Sequence, residues 1–204
     1  PTRAGVRAGR RWRPAGAGTG GGGAGGRWGA EVGGPDACGR GGQSRLGPNQ
    51  NCLGDRTRWL KHAPYRARAM DPGGYVMMGM RRPPSTIEPT HPGSLELVRS
   101  LLAELLPHFS DPAYVNLGLD EPWELPAARF DDYLAWVHTR RARPEVDGRE
   151  VVMWGDILAA HPERLADLPA GVIVCEWGYD AGHPWAARLG ALADAGVERW
   201  VAPG

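Results

Sequence analysis

The chain has 204 residues, of which 42% are hydrophobic, and it carries a formal net charge of +1 at pH 7. It contains no stretch of 18 apolar residues, which excludes a membrane-spanning helix, and a net charge so close to zero says nothing about partners. Three widely spaced cysteines and six histidines without ligand-like spacing predict no disulfide framework, metal site or cofactor.

The first 45 residues differ in composition from the rest of the chain. They hold 16 of the 31 glycines, eight arginines and two acids, so their formal charge is +6 and the remainder carries −5 (+1 minus +6). Because they offer almost nothing to a core, we predict that residues 1–45 are a disordered Gly/Arg-rich segment. We favour the interpretation that this segment is an inert tail or an artefact of the coding sequence. The alternative is an RNA-binding tail in which Trp12 and Trp28 stack on bases. No apolar leader is visible, which predicts a cytoplasmic location.

From residue 46 onward, strand and helix patterns alternate. The strands are short apolar runs, and the helices place apolar residues at spacings of three and four, as in Leu95, Val98 and Leu102. Gly196 marks the end of the last helix. The patterns predict, in chain order, helix 94–108, strand 114–119, helix 128–141, strand 149–153, strand 171–175, helix 185–195 and strand 197–201.

Strands that alternate with helices predict a parallel α/β sheet. Two folds fit this pattern, an open doubly wound sheet and a (β/α)8 TIM-type barrel. The glycine-rich run 16–26 has no strand before it and no amphipathic helix after it, so it is not a nucleotide-binding fingerprint. Acids and tryptophans instead follow one strand after another, and in a barrel such strand ends open on one face. We therefore predict a barrel domain over residues 46–204.

The adjacent carboxylates Asp120 and Glu121 directly follow the predicted strand 114–119. A charge beside a core is costly unless it is paired or functional, although acids are also common where a strand leads into a helix. Three tryptophans, Trp154, Trp177 and Trp200, lie at or just beyond later strand ends. Aromatic rings stack on the apolar faces of sugars, and carboxylates bind sugar hydroxyls. The pattern therefore favours a sugar pocket over the alternative that these tryptophans only fill a core.

Several segments resemble the catalytic domain of glycoside hydrolase family 20, the β-N-acetylhexosaminidases and their bacterial relatives. The most specific is NLGLDE at 116–121, an Asp-Glu dipeptide after a glycine-containing strand, and the resemblance covers about residues 46–204. It implies a glycosidase whose partner is an N-acetylhexosamine-containing carbohydrate. The other matching segments are PNQN at 48–51, RWLKH at 58–62, RPPSTIEP at 82–89, ELLPHF at 104–109, MWGD at 153–156 and WGY at 177–179.

The resemblance implies a retaining, substrate-assisted mechanism. Glu121 would protonate the glycosidic oxygen and then serve as the base for water, while Asp120 would hold the 2-acetamido group whose carbonyl oxygen is the nucleophile. A neighbouring carboxylate also raises the pKa of Glu121, as an acid at neutral pH requires. The implied substrate contacts are Trp154, Asp156, Trp177, Tyr179 and Asn51, with Trp200 as a further wall of the sugar site.

One departure from the family pattern lies at Gly54-Asp55. Relatives that share the PNQN segment tend to have Gly-His there, and the histidine belongs to the active-site network. Asp55 would place an anion near the acid pair, where it raises the pKa of Glu121 or disturbs substrate binding. We include Asp55 among the predicted substrate-binding residues. The departure also opens a second interpretation, a catalytically silent sugar-binding relative.

The length of the matching region bears on the barrel. A (β/α)8 barrel takes about 250 residues and rarely fewer than 200, whereas about 159 residues (204 minus 45) resemble the family. We therefore expect an incomplete barrel with central and later βα units, whose open sheet edges lower its stability. A truncated fragment without function is the third interpretation. The sequence distinguishes neither gluco- from galacto-configured substrates nor one oligomeric state from another.

Overall fold

The computed structural model describes residues 13–15, 46–109, 113–141, 146 and 148–204. The strands are β1 Arg13–Ala15, β2 Leu46–Pro48, β3 Tyr75–Met77, β4 Met80–Arg82, β5 Tyr114–Asn116, β6 Glu150–Trp154, β7 Val172–Gly178 and β8 Glu198–Pro203. The α-helices are α1 Thr57–Leu60, α2 Ala63–Arg66, α3 Pro92–Leu105, α4 Phe130–Arg141, α5 Asp156–Ala159 and α6 Trp185–Asp194. Short 3-10 helices cover Leu106–His108, Ala127–Arg129 and Pro162–Asp167.

Six of these strands run parallel and follow one another in chain order. Strands β5 to β8 form a four-stranded sheet in that order, and β1 pairs with β2. A parallel bridge between Asn49 and Asn116 joins β2 to β5. The order does not reverse as it does in a doubly wound sheet, and an unreversed order is that of a barrel wall. The predicted parallel α/β sheet is confirmed, and its closure into a barrel stays a prediction.

The sheet is covered on both faces, which explains the continuous apolar runs of its strands. In β7, Val172 and Val174 belong to the main core, which also contains apolar residues of α3 and α4. Ile173 and Cys175 alternate with them and form a second buried cluster with Val152 on the opposite face. Strands buried in this way read as uninterrupted Val and Ile segments rather than as an alternating pattern.

Helix boundaries follow local capping signals. In α3, the first-turn proline needs no N–H partner, and His91 caps the helix by accepting the Gly93 N–H on Nδ1 at 3.0 Å. Helix α6 ends before Gly196, which has a left-handed φ of 72°.

Within the described residues, no helix combines the length and apolar character needed to cross a bilayer.

An exposed antiparallel hairpin, β3–β4, lies between α2 and α3. Its two-residue turn, Met78-Gly79, has φ of 51° and 74°, the twist that two-residue hairpin turns favour. The side chains of Val76, Met78 and Met80 are all largely exposed. The predicted elements do not include this hairpin, because its strands bury no apolar face that a sequence pattern would report.

The structure describes three of the first 45 residues, and the disorder of this segment as a whole stays a prediction. Strand β1, which lies in the segment predicted to be disordered, pairs with Leu46–Pro48 in a parallel ladder. A backbone ladder needs no apolar side chains, so the composition of Arg13–Ala15 does not reveal it. The other residues of this segment, Trp12 and Trp28 among them, lie outside the described residues.

Candidate active site

The acid pair lies where the chain leaves strand β5. The strand ends at Asn116, earlier than the predicted end at residue 119. Asn116 Oδ1 accepts the Gly118 N–H at 2.8 Å, and Gly118 and Leu119 then both adopt φ of 70°. This left-handed backbone turns the chain out of the extended conformation, which the apolar character of the residues does not reveal. The alternation of side chains is therefore broken before Asp120 and Glu121.

Loop 51–55 packs closely against the loop that carries the acid pair. The backbone at Gly54 is so near the Asp120 carbonyl that a Cβ at residue 54 would lie 1.9 Å from its oxygen. Across the same contact, a Cβ at Gly118 would lie 2.5 Å from Asn51 Oδ1. The two loops thus meet backbone to backbone, and residue 54 has to be glycine.

Gly54→Ala is expected to lower the free energy of unfolding by about 1–3 kcal/mol, the usual cost of an overpacked site. The added methyl group would meet backbone atoms of Asp120, which cannot rotate away as a side chain can. Urea denaturation followed by tryptophan fluorescence measures the change. Gly190→Ala in α6 is the matched control, because nothing lies within 4 Å of a Cβ there. Equal losses in both variants would contradict the close approach at residue 54.

Asp156 connects the acid pair to the end of the next strand. Its Oδ2 accepts the Glu121 backbone N–H at 3.0 Å, and its Oδ1 accepts the Trp177 indole N–H at 3.3 Å. The carboxyl ends of β5, β6 and β7 therefore meet at one edge of the sheet, as expected for parallel strands. Each oxygen of Asp156 can accept a further hydrogen bond, so both could still bind a substrate hydroxyl or amide. The contact of Asp156 with a substrate stays a prediction.

The carboxyl groups at this edge have raised pKa values. Burial and then the charges of Asp156, Asp55 and Glu121 together raise the pKa of Asp120 to about 7. Burial, then Asp156 and Asp55, also raise the pKa of Glu121, and burial raises the pKa of Asp156. Asp120 Oδ1 is buried and has no hydrogen-bond partner within the described ranges. The sequence predicts the raised pKa of Glu121 but not the large rise at Asp120.

The raised pKa of Asp120 predicts that folding stability depends on pH. An unfolded aspartate has a pKa of about 3.9, so the folded protein holds this proton more tightly than the unfolded chain. Its contribution is complete below about pH 4 and is lost as the pH rises through about 7. Asp120→Asn removes this loss, so the stability of the variant relative to the parent protein should rise by a few kcal/mol (roughly 1.4 per pKa unit) between about pH 4 and 8. Urea unfolding at both pH values measures the rise, and a constant difference would contradict the raised pKa.

The aromatic residues predicted to wall the sugar lie at successive strand ends. The rings of Trp177 and Tyr179 have centroids 5.4 Å apart, and Tyr179 is 76% exposed. Trp154 is half-buried and packs on the sheet face that carries the second buried cluster. Trp200 packs on the same face, with its ring centroid 4.8 Å from that of Tyr114. Tyr179 thus offers an exposed ring beside the half-buried ring of Trp177, whereas Trp200, also half-buried, packs against Tyr114.

The other two predicted substrate contacts, Asn51 and Asp55, lie on the loop packed against the acid pair. Asn51 Nδ2 donates to Asp55 Oδ2 at 3.0 Å. Asp55 is exposed, and its charge raises the pKa values of Asp120 and Glu121. This is the direction expected of an anion at residue 55, and its effect on the acid stays a prediction. The roles of both residues in binding a substrate stay predictions.

Glu124 supports the site, although its sequence context does not single it out. Its Oε1 accepts the backbone N–H groups of Ser85 at 2.6 Å and Thr86 at 3.2 Å, and its Oε2 accepts the Thr86 hydroxyl. These bonds fasten the segment after the β3–β4 hairpin to the loop that carries Glu121. Thr86 and Ser85 are 38 and 39 residues from Glu124 in the chain, so no local sequence pattern predicts the contact.

Glu176 is a second site-adjacent residue without an assigned role in the sequence interpretation. It lies in β7, is 1% exposed, and its Oε1 is 2.8 Å from His183 Nε2 and 2.6 Å from Arg188 Nη1. A Cβ at Gly155, the residue before Asp156, would lie 2.7 Å from Glu176 Oε2. The sequence feature that could have indicated these contacts is a single acid inside an apolar strand, because a buried carboxylate needs cationic partners.

The arrangement can transfer protons and bind polar groups. Carboxyl groups with raised pKa values hold a proton closer to neutral pH than ordinary acids do, so they can donate it to a leaving group. They lie beside the half-buried ring of Trp177 and the exposed ring of Tyr179, and aromatic rings can stack on an apolar ligand surface. No group of three metal-ligating side chains occurs in the part of the chain that the structure describes.

Comparison with solved structures shows a fold shared with Dispersin B. The TM-score is 0.51 at 17% sequence identity, over 76% of this chain and 47% of Dispersin B, so the chain spans about half the length of that protein. Two further similar structures have TM-scores of 0.49. They are the GH20 exo-β-N-acetylglucosaminidase from Vibrio harveyi (15% identity, 79% of this chain and 26% of that one) and the glycoside hydrolase domain of PelA from Pseudomonas aeruginosa (16% identity, 76% and 66%). No family model and no curated protein matches the chain.

Proposed function

We propose that this chain carries a glycoside hydrolase site that cleaves terminal N-acetyl-β-hexosaminides with retention of configuration. Glu121 is the general acid that protonates the glycosidic oxygen and then the base that activates water. Asp120 orients the 2-acetamido group of the substrate, whose carbonyl oxygen attacks the anomeric carbon. The partner is an N-acetylhexosamine-containing carbohydrate, and no cofactor enters the proposed reaction.

The observation that carries the proposal is Asp120 Oδ1, a buried acceptor with no partner in the described residues, beside a second carboxyl group of raised pKa. A buried acceptor without a donor costs about 1–3 kcal/mol, so such an oxygen is a suitable place for a ligand to supply the donor. The N–H of a 2-acetamido group is a donor of this kind. Its hydrogen bond would favour the ionised form of Asp120 and lower the pKa of the carboxyl in the complex.

The environment of Glu121 supports its role as the acid. Burial and the charges of Asp156 and Asp55 raise its pKa, so it holds its proton at a higher pH than an ordinary glutamate. Its backbone has φ of 48°, and its N–H is held by Asp156. Because the chain has left the extended conformation, the side chains of Asp120 and Glu121 need not point to opposite faces of the sheet.

We propose further that the sheet is part of a (β/α)8 barrel. The unreversed order of six parallel strands and the fold shared with Dispersin B support this. In a barrel, the carboxyl ends of all strands open on the face where active sites are built. Asp120, Asp156 and Trp177 lie at three such ends, in the order of their strands. Trp177 and Tyr179 would then stack on the sugar ring, with Trp154, Asn51 and Asp55 completing the pocket.

A second candidate function is binding of an N-acetylhexosamine without turnover, and Asp55 favours it. Its charge adds to the raised pKa of Asp120, which at about 7 leaves that group only partly ionised near neutral pH. A protonated Asp120 stabilises the positive charge that develops on the acetamido group less well than a carboxylate does. The sugar could still bind through hydrogen bonds and aromatic stacking.

Turnover of 4-nitrophenyl N-acetyl-β-glucosaminide by the purified full chain tests the proposal. We expect release of 4-nitrophenolate, and the matching galactosaminide will show which configuration at C4 is preferred. Binding of N-acetylglucosamine, measured by tryptophan fluorescence, without any product would select the second candidate. Neither binding nor turnover would contradict both functions.

A further inference from the structure

We propose that Glu176, His183 and Arg188 form a positioning cluster, which holds the end of β7 and the loop between β7 and α6 so that they present Trp177 and Tyr179 to the sugar. The inference rests on the proposed function and adds to it three residues that touch no substrate themselves. Tyr179 is exposed and lies on a connecting loop, so contacts elsewhere have to hold it in place.

The buried carboxylate of Glu176 holds the three residues of the positioning cluster together. A carboxylate as buried as Glu176, at 1% exposure, is stable only when it is paired. Both partners meet the same oxygen, Oε1, at 2.8 Å from His183 Nε2 and 2.6 Å from Arg188 Nη1. His183 belongs to the loop and Arg188 to helix α6, so this one oxygen ties the strand, the loop and the helix together. Loss of either partner leaves a buried charge poorly compensated.

The histidine ring also folds the loop back onto the strand end. A Cβ at Gly178 would lie 2.5 Å from atoms of the His183 ring, so the ring rests directly on the strand backbone. The His183 ring centroid is 4.3 Å from that of Trp185, the first residue of α6. The backbone N–H of His183 donates to the Asp180 carbonyl at 3.0 Å, and this bond closes a turn in the loop. The path of the loop that carries Tyr179 therefore depends on where His183 is held.

The positioning cluster lies directly behind the residues that organise the acid pair. Glu176 Oε2 approaches Gly155 closely enough to exclude a Cβ, and Gly155 immediately precedes Asp156. The residue after Glu176 is Trp177, whose indole N–H donates to Asp156 Oδ1. A shift of Glu176 would therefore move Trp177 and, through its ring contact, Tyr179. The bond between Asp156 and the Glu121 N–H lies one step further away.

The test compares His183→Leu, which removes the contact to Glu176, with His183→Gln, which retains a nitrogen donor near the Nε2 position. His108→Leu is the matched control at an exposed histidine. The dissociation constant of N-acetylglucosamine is measured by tryptophan fluorescence, kcat and KM with 4-nitrophenyl N-acetyl-β-glucosaminide, and Tm by thermal unfolding. Arg188→Lys carries the same expectation as the leucine variant, should that variant fail to fold, because it keeps the charge and loses the 2.6 Å contact.

We expect His183→Leu to raise the dissociation constant and KM about tenfold, which corresponds to about 1.4 kcal/mol of binding free energy, with kcat nearly unchanged. His183→Gln should recover most of the loss, and His108→Leu should show none. A lower Tm with unchanged dissociation constant and KM would overturn the positioning role and leave the proposed function intact. If the parent protein binds the sugar without turning over the glycoside, hydrolysis is contradicted and the dissociation constants still decide on the positioning cluster. If the parent protein does neither, both proposals fall.

Discussion

Glu121→Gln is expected to lower kcat/KM by about 10³-fold for a substrate with a poor leaving group, such as the β-1,4-linked disaccharide of N-acetylglucosamine. The amide has nearly the volume of the carboxyl group but no transferable proton for the glycosidic oxygen. The dissociation constant of N-acetylglucosamine should change little, because the substitution removes a proton rather than a stacking surface. Steady-state kinetics and a fluorescence titration measure the two quantities.

A glycoside with a good leaving group provides the internal control. The 2,4-dinitrophenolate ion leaves with little need for protonation, so Glu121→Gln should slow its release much less than it slows cleavage of the disaccharide. Glu96→Gln, at an exposed glutamate of α3, should leave both rates unchanged. Equal losses on the two substrates would show that Glu121 acts in some way other than by giving a proton to the leaving group.

Asp120→Asn is expected to reduce kcat by about 10²- to 10³-fold for glycosides that carry the 2-acetamido group, and far less for glucosides that carry a 2-hydroxyl instead. The reason is that the negative charge of Asp120 stabilises the positive charge that develops as the acetamido oxygen attacks. An asparagine can still accept the N–H hydrogen bond but supplies no charge. Paired assays on 4-nitrophenyl N-acetyl-β-glucosaminide and 4-nitrophenyl β-glucoside measure the difference.

The folded state supplies the control for this variant. Because the pKa of Asp120 is raised to about 7, the asparagine should not weaken folding near neutral pH, and a loss of activity cannot then come from unfolding. Proportional losses on the acetamido and hydroxyl substrates would contradict the role of Asp120 in assisting the acetamido group. Such a result would instead indicate a general electrostatic effect on the pocket.

The parts of the fold that are visible in the sequence are those set by local burial. Helix α3 is predictable because Val98 and Leu102 repeat at the spacing of one helix face. Strand β7 is predictable because both of its faces are covered, which leaves an unbroken apolar run. Strand β5 ends earlier than its apolar run because an Asn116 side-chain bond turns the backbone at Gly118. A local pattern of hydrophobicity carries no information on such a turn.

The candidate site is predictable to the extent that parallel strands align their carboxyl ends. This rule alone brings Asp120, Asp156 and Trp177 together from three separate strand ends. It does not reveal that Asp156 accepts a hydrogen bond from the Glu121 backbone, nor that Glu176 in β7 contacts His183. Those contacts depend on loop conformations, which are set by close backbone approaches such as the one at Gly54.

The configuration of the first sugar released from an N-acetyl-β-glucosaminide tests the proposed mechanism most directly. Proton NMR during the first minutes of the reaction separates the anomeric signals before mutarotation mixes them. Attack by the acetamido oxygen followed by attack of water inverts the anomeric carbon twice, so the β-anomer should appear first. Initial appearance of the α-anomer would contradict the substrate-assisted mechanism, and the absence of any released sugar would contradict hydrolysis at Asp120 and Glu121.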